Sequence, residues 1–285
     1  MNRKKSYSLG LYEKALPNDT SFREKLEAAS SCGFDRLEIS IDESDMRLER
    51  LDWSSAAQRD LRHMSDDIGI PISTMCLSGH RKYPFGSHEE SIREKSMDIM
   101  KKAVDFSCEV GVKIIQLAGY DVYYEEHDAF TEAMFSENLQ RAVDYASGSG
   151  IVLAFETMET PFMDTVEKSM KYVEKINSPW LGVYPDIGNL KNAAVLYGHD
   201  VIDDLRLGSG HLFAVHLKET KPGIYRNMHF GTGHTDYEGC IQCAKDNGVH
   251  MFTGEFWYLD TTPDYLEEIR YSSEFLRSRL DRIYC

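Results

Sequence analysis

The sequence has no run of about 18 consecutive apolar residues, the length a helix needs to cross a bilayer, so no membrane span is expected. Its start, MNRKKSYSLGLYEK, is basic but lacks the apolar stretch and small-residue cleavage site of a secretory leader, and a cytoplasmic protein is expected. Positive charge is in short supply: 32 Lys and Arg stand against 47 Asp and Glu, a formal net charge of −15. That balance opposes a polyanion laid across the surface and argues against nucleic-acid partners. The six cysteines (Cys32, Cys76, Cys108, Cys240, Cys243 and Cys285) are too scattered for a disulfide framework. Cys240 and Cys243 form one C-x-x-C, but no second pair accompanies it and the stretch reads as helix rather than a zinc-knuckle turn. Cys108 falls on an apolar helical stripe and is expected to be a small buried hydrophobe. No linker, low-complexity run or charge block divides the chain, which predicts one domain over residues 1–285.

What is present is a repeating alternation. Eight short apolar segments ending in polar residues are each followed by a longer amphipathic stretch: Tyr7–Tyr12, Arg36–Ile41, Ile72–Leu77, Lys113–Ala118, Val152–Glu156, Leu181–Asp186, Phe213–Leu217 and Phe252–Phe256. Between them, Phe22, Leu26 and Ala29, then Ala57, Leu61, Met64 and Ile68, and later Val166, Met170 and Val173 recur at helical spacing. Ser21 before Glu24 and Asp164 before Glu167 have the spacing of capping boxes. Eight β/α units in 285 residues predict an α/β fold, a single (β/α)8 TIM barrel with its active site at the C-terminal ends of the strands. The competing doubly wound sheet would carry a Gly-rich phosphate turn after its first strand, and Gly10-Leu11-Tyr12-Glu13 is not one.

Four consecutive strands end in metal-ligand side chains: Glu156, Asp186, His216 and Glu255, separated by 30, 30 and 39 residues, close to one β/α unit each. A lone strand-end acid usually caps the next helix, but four in register can converge on one spot. Period-two alternation supports this, placing Val152, Ala154, Leu212, Ala214, Met251 and Thr253 on the inward face with the ligands and the bulkier Leu153, Phe155, Phe213, Val215, Phe252 and Phe256 toward the helices. Three carboxylates and one imidazole are costly to desolvate without a cation, which implies a divalent metal; Mn²⁺, Zn²⁺, Co²⁺ and Mg²⁺ all suit such mixed ligation.

Across nearly its whole length the chain resembles the L-ribulose-5-phosphate 3-epimerase (L-xylulose-5-phosphate 3-epimerase) family of xylose isomerase-like barrels. The blocks GLYEKALP, LEISIDESDMRLERLDWS, STMCLSGHRKYPFGS, IIQLAGYDVYY, YPDIGNL and AVHLKETKPG carry the resemblance. It implies that Glu156, Asp186, His216 and Glu255 hold the metal and that Glu156 and Glu255 are the catalytic pair acting on a pentulose 5-phosphate. Chemistry agrees: inverting C3 of a ketose requires removing a proton beside the C2 carbonyl and returning one on the opposite face, hence two acid-base groups straddling the substrate. The related free-ketohexose 3-epimerases carry Asp-x-x-His on strand six, whereas this chain reads Asp186-Ile187-Gly188-Asn189, which favours the phosphopentulose branch and places Asn189 to donate to a sugar hydroxyl. Barrels of this superfamily are commonly dimeric, so a homodimer is expected.

Phosphate in barrels often sits in the loops after strands seven and eight. The loop KETKPGIYRNMHFGTGH offers Lys218, Lys221 and Arg226 beside Gly231 and Gly233, and a second basic cluster, His80, Arg81 and Lys82, follows strand three. Tyr12, Glu13, Tyr123, Tyr124 and Trp257 are placed at the mouth by position. Three other readings compete. An aldose-ketose isomerase would use the same barrel and metal; an endonuclease IV-like repair barrel would need three zincs and a basic face; a non-catalytic sugar-phosphate-binding module would need neither acid nor base.

Overall fold

The computed structural model describes residues 6–262 and 264–285. The apolar segments form eight parallel strands, β1 (Ser8–Tyr12), β2 (Arg36–Ile41), β3 (Ile72–Leu77), β4 (Ile114–Ala118), β5 (Val152–Glu156), β6 (Leu181–Val183), β7 (Val215–Leu217) and β8 (Met251–Gly254). They lie in the order β6-β5-β4-β3-β2-β1-β8-β7. The remaining edge is joined by parallel bridges from Val183 to Leu212 and from Asp186 to His216. The expected (β/α)8 barrel is therefore present, with helices such as Phe22–Ser31, Ser55–Ile68, Glu90–Val110 and Tyr265–Tyr284 following the strands. Among the described residues no helix is long and apolar enough to cross a membrane.

Local chemistry explains where elements begin and end. Ser21 and Glu24 form the expected capping box. The Asp164–Glu167 pair does not: Thr165 caps the helix Val166–Ile176 by accepting from the Lys168 N–H, while Asp164 binds the Lys168 ammonium at 2.5 Å. A hydroxyl one residue nearer the helix takes the cap and leaves the carboxylate for the cation. β6 ends three residues early because Pro185 has no N–H for the ladder.

Alternation divides the interior into two regions. Leu37, Ile39, Leu153, Phe155, Val215, Phe252 and Phe256 join the large core beneath the helices. Ile114, Ala154, Tyr184 and Ala214, with Val152 and Met251, form a small apolar plug inside the barrel. Leu212 and Phe213 reverse the expected orientation: Leu212 lies in the helix-side core and Phe213 packs on the inner plug. Regular pairing of β7 starts only at Val215, so period two cannot be extrapolated backward past Ala214. Cys108 is also corrected, since it is exposed; the buried face of its helix is centred on Ala103, Ser107 and Val110, and Cys108 lies past its edge. Cys240 and Cys243 are free, buried and helical, as expected.

Gly182 permits the β6–β7 closure. A Cβ there would run into the Phe213 ring and lie 2.5 Å from the His211 carbonyl oxygen.

Glu13 is not at the mouth. It is fully buried, bound by Lys25 at 2.7 Å, Arg47 at 2.9 Å and Arg50 at 2.8 Å, and it accepts from the Ser40 N–H at 2.8 Å. This ties the end of β1 to the end of β2. Burial alone would raise its pKa, but Arg50, Arg47 and Lys25 hold it at about 2.

Two stability predictions follow from these contacts. Gly182→Ala should destabilise the fold by at least the 1–3 kcal/mol that overpacking typically costs, read as a lower urea midpoint with unchanged slope. Glu13→Gln should cost roughly 3–5 kcal/mol at pH 7, because three buried cations lose their partner. The carboxylate's contribution is full above its unfolded pKa of about 4.3 and is lost as pH falls toward about 2. Urea titrations of parent and variant should therefore converge over that acidic window.

Candidate active site

The four strand-end residues meet at the C-terminal mouth of the barrel. Glu156 closes β5 opposite Ala118 of β4. Asp186 follows Pro185 and bridges to His216. His216 is the middle residue of β7, in register with Thr253 of β8, and Glu255 follows β8 with its N–H still bonded to the Leu217 carbonyl at 2.9 Å. One ligating atom from each of the four lies within 4.8 Å of all the others, and all four residues are buried.

Asp186 performs both functions that a strand-end acid can have. Its Oδ1 accepts from the Asn189 N–H at 2.8 Å, capping the helix Ile187–Tyr197. Its Oδ2 turns to the cluster, 3.0 Å from Lys218 Nζ and 4.0 Å from His216 Nδ1. His216 Nδ1 is also 3.2 Å from Glu255 Oε2 and 3.8 Å from Glu156 Oε1. Lys218 Nζ reaches Glu255 Oε2 at 3.3 Å.

Three buried carboxylates this close together cannot all ionise cheaply. Burial and the neighbouring Glu255 charge push Glu156 above the usual carboxylate range, and burial does the same to Asp186, against the pull of Lys218. Burial also opposes ionisation of Glu255, but Lys218 and His216 hold it well below that range. The protein's own cations thus offset only part of the negative charge. An oxygen-rich set with one imidazole nitrogen fits a divalent cation, whose charge would relieve the remaining repulsion; Glu156, Asp186, His216 and Glu255 are the residues that could hold it.

The cavity above this cluster is lined by Tyr12, Arg81, Asn189, Lys218, Arg226 and Trp257 among others. Asn189 lines this cavity, with its Nδ2 donating to the Thr157 carbonyl at 2.8 Å and its buried Oδ1 without a partner among the described residues. Oδ1 is thus a free acceptor, and of the two amide protons one is taken by Thr157. Lys218 is at the carboxylate cluster rather than in an outer phosphate loop, and both it and Arg226 stand over the Trp257 ring, at 5.5 and 5.7 Å. Arg226 pairs with Glu159 at 3.1 Å. Arg81 lies 4.9 Å over the Tyr123 ring, has no ion pair among the described residues, and its buried Nε lacks a partner.

Other expected residues lie elsewhere. His80 is buried, with Nε2 at 3.2 Å from the Ser96 carbonyl and its ring 4.5 Å from Phe85. Lys221 is exposed in a turn paired with Ile224. The Gly231 N–H donates to Glu219 at 2.7 Å, and Gly233 packs on Glu219 and the Thr220 carbonyl, so both serve the loop's own packing. Tyr124 is an exposed side chain bonded to Glu43 at 3.0 Å. Lys14, Cys76, Ser78, Met158 and Glu159 also line the cavity, and none stood out in the sequence. Beneath it, Arg36 and Glu38 of β2 point inward; the alternation in RLEISI, with Arg36 and Glu38 opposite Leu37 and Ile39, is the signal that could have found them.

The family model for xylose isomerase-like TIM barrels matches residues 26–279. The chain is 40% identical over 277 residues to L-ribulose-5-phosphate 3-epimerase UlaE of Salmonella paratyphi A and of Escherichia fergusonii, covering 97% of this chain and 96% of each relative. Among solved structures, D-psicose 3-epimerase with D-tagatose from Clostridium cellulolyticum superposes with a TM-score of 0.80 at 14% identity, covering 96% of this chain and 99% of that one. D-allulose 3-epimerase from Methylomonas sp. gives 0.76 at 18% identity, covering 98% and 100%. At such low identity these two show the shared barrel alone. The family-model match and the 40% identical relatives show that this chain belongs to the L-ribulose-5-phosphate 3-epimerase family of xylose isomerase-like TIM barrels.

Proposed function

We propose that this protein is a metal-dependent 3-epimerase interconverting L-xylulose 5-phosphate and L-ribulose 5-phosphate. The observation that carries the reading is the convergence of Glu156 from β5 and Glu255 from β8 on one buried cluster, in a chain whose relatives of nearly equal length are named for this reaction. C3 of a ketose is a weak carbon acid, and inverting it takes a base on one face and an acid on the other. Glu156 and Glu255 come from opposite ends of the β5–β8 arc and are the groups assigned to those faces. One accepts the C3 proton and the other returns a proton to the opposite face, with their roles exchanged in the reverse direction.

A divalent metal held by Glu156, Asp186, His216 and Glu255 would supply Lewis-acid stabilisation of the negative charge that develops when C3 is deprotonated. Lys218, 3.0 Å from Asp186 and 3.3 Å from Glu255, adds fixed positive charge beside the reacting carbons. The free Oδ1 of Asn189 accepts from a sugar hydroxyl. Arg81 is assigned the phosphate. Lys14, Lys218 and Arg226, the other cations lining the cavity, are already paired with carboxylates, and Arg81 has no such pair among the described residues. The six free cysteines suit a reducing, cytoplasmic setting.

Incubation with L-xylulose 5-phosphate in D₂O should place deuterium at C3 with inversion, followed by NMR; exclusive formation of an aldose would instead identify an isomerase. Glu156→Gln and Glu255→Gln should each lower kcat by about 10² to 10⁴, and full turnover in either would remove that residue from the acid-base pair. Arg81→Ala should raise KM for the phosphorylated sugar roughly 10- to 100-fold, the scale of one charge-assisted hydrogen bond of about 1.5–3 kcal/mol, and leave turnover of unphosphorylated L-ribulose unaffected. His216→Ala should lose metal on elemental analysis.

A further inference from the structure

Beneath the carboxylate cluster, the floor of the barrel is charged. β2 turns Arg36 and Glu38 toward the axis, and with His216, Tyr184, Thr74 and Thr253 they form a network in which every residue is at most 1% exposed. The sequence makes room for it at Gly10 of β1, where a Cβ would lie 2.7 Å from the Arg36 guanidinium carbon. Buried ion pairs are weak contributors to stability, because desolvating both partners offsets their attraction, and an apolar floor would do the structural work as well. The network's connections point to another role.

Glu38 Oε1 lies 2.6 Å from His216 Nε2. An imidazole's two nitrogens face in different directions, so a bond from Nε2–H to Glu38 aims Nδ1 at Glu255, Glu156 and Asp186, with Gln116 Nε2 also 3.2 Å away, and makes Nδ1 the nitrogen that gives up its proton when a cation binds. The other Glu38 oxygen accepts from the Tyr184 hydroxyl at 2.8 Å, and the Tyr184 ring packs edge-on against the imidazole with centroids 4.8 Å apart. Thr253 links the two halves of the network: its hydroxyl lies 2.6 Å from Tyr184 Oη and accepts from Arg36 at 2.8 Å. Arg36 is fixed in turn by Thr74 Oγ1 at 2.8 Å and the Phe252 carbonyl at 2.7 Å.

We propose that Glu38 is a positioning residue for the metal ligand His216, fixing its tautomer and ring orientation so that Nδ1 is the ligating atom, with Tyr184 and Arg36 holding Glu38 in place. The proposal rests on the reading of this cluster as a metal centre. Outer carboxylates of this kind orient a ligating imidazole and strengthen it as a donor, and their loss typically weakens metal binding about 10- to 100-fold.

The test is calorimetric titration of the metal-free protein with Mn²⁺, together with the visible absorption spectrum of the Co²⁺ form. Parent, Glu38→Gln and Tyr184→Phe would be compared, with circular dichroism on each to confirm folding. Glu38→Gln keeps the side-chain length but removes the charge and should weaken Mn²⁺ binding about 10- to 100-fold and shift the Co²⁺ bands. Tyr184→Phe leaves every ionised group in place and should weaken binding by a smaller factor; it carries the test if the Glu38 variant does not fold. Parental affinity and an unaltered Co²⁺ spectrum in a folded variant would overturn the positioning role. Failure of the parent itself to bind Mn²⁺ or Co²⁺ would overturn the metal centre as a whole, an outcome distinguishable from the first.

Discussion

The mutual repulsion of three carboxylates brought into one buried cluster is the constraint around which the mouth of this barrel is organised. Glu156, Asp186 and Glu255 are all buried and within a few ångströms of one another. Water would stabilise each of them separately, and the protein interior does not. The fold answers with cations on and just after β7: His216 sits among the carboxylates and Lys218 bridges Asp186 and Glu255. These two positive groups balance two of three acids at most, and a site short of positive charge in this way favours a hard dication over a neutral ligand.

The barrel's topology makes such a concentration of charge possible. Parallel strands arranged in sequence order deliver one residue per β/α unit to the same end of the axis. The β6–β7 edge shows how closely the backbone serves this end: Pro185 stops the ladder, the Asp186–His216 bridge resumes it, and Gly182 gives the Phe213 segment space to approach. Two members of the cluster, Asp186 and His216, are therefore directly bridged. Asp186 is fixed further by capping the next helix with one oxygen while the other faces the cluster.

Much of the site was legible from spacing. Glu156, Asp186, His216 and Glu255 stand at the ends of consecutive strands, and a parallel barrel leaves no other place for strand ends to meet. The inward position of Ala154, Ala214 and Thr253 followed from alternation, which held wherever the strand was regular and failed at Leu212 and Phe213, where it was not. Loop residues were less legible. Lys221 and Arg226 lie in one segment, but only Arg226 reaches the cavity; His80 and Arg81 are adjacent, and one is buried against Ser96 and Phe85 while the other faces the ligand space. A loop has no period from which the direction of a side chain can be read.

The sequence by itself determined the barrel, the four residues that converge at its mouth and the family, because strand alternation, unit spacing and long specific blocks are all linear properties. The tertiary structure alone decided which cation is uncommitted, that Asn189 spends an amide N–H on the Thr157 carbonyl and keeps its oxygen free, and that Glu38 reaches His216 from 178 positions away. Those are questions of which polar atom finds a partner. Hydrogen bonds depend on distance and direction in space, and residues remote along the chain compete for them on equal terms with near ones.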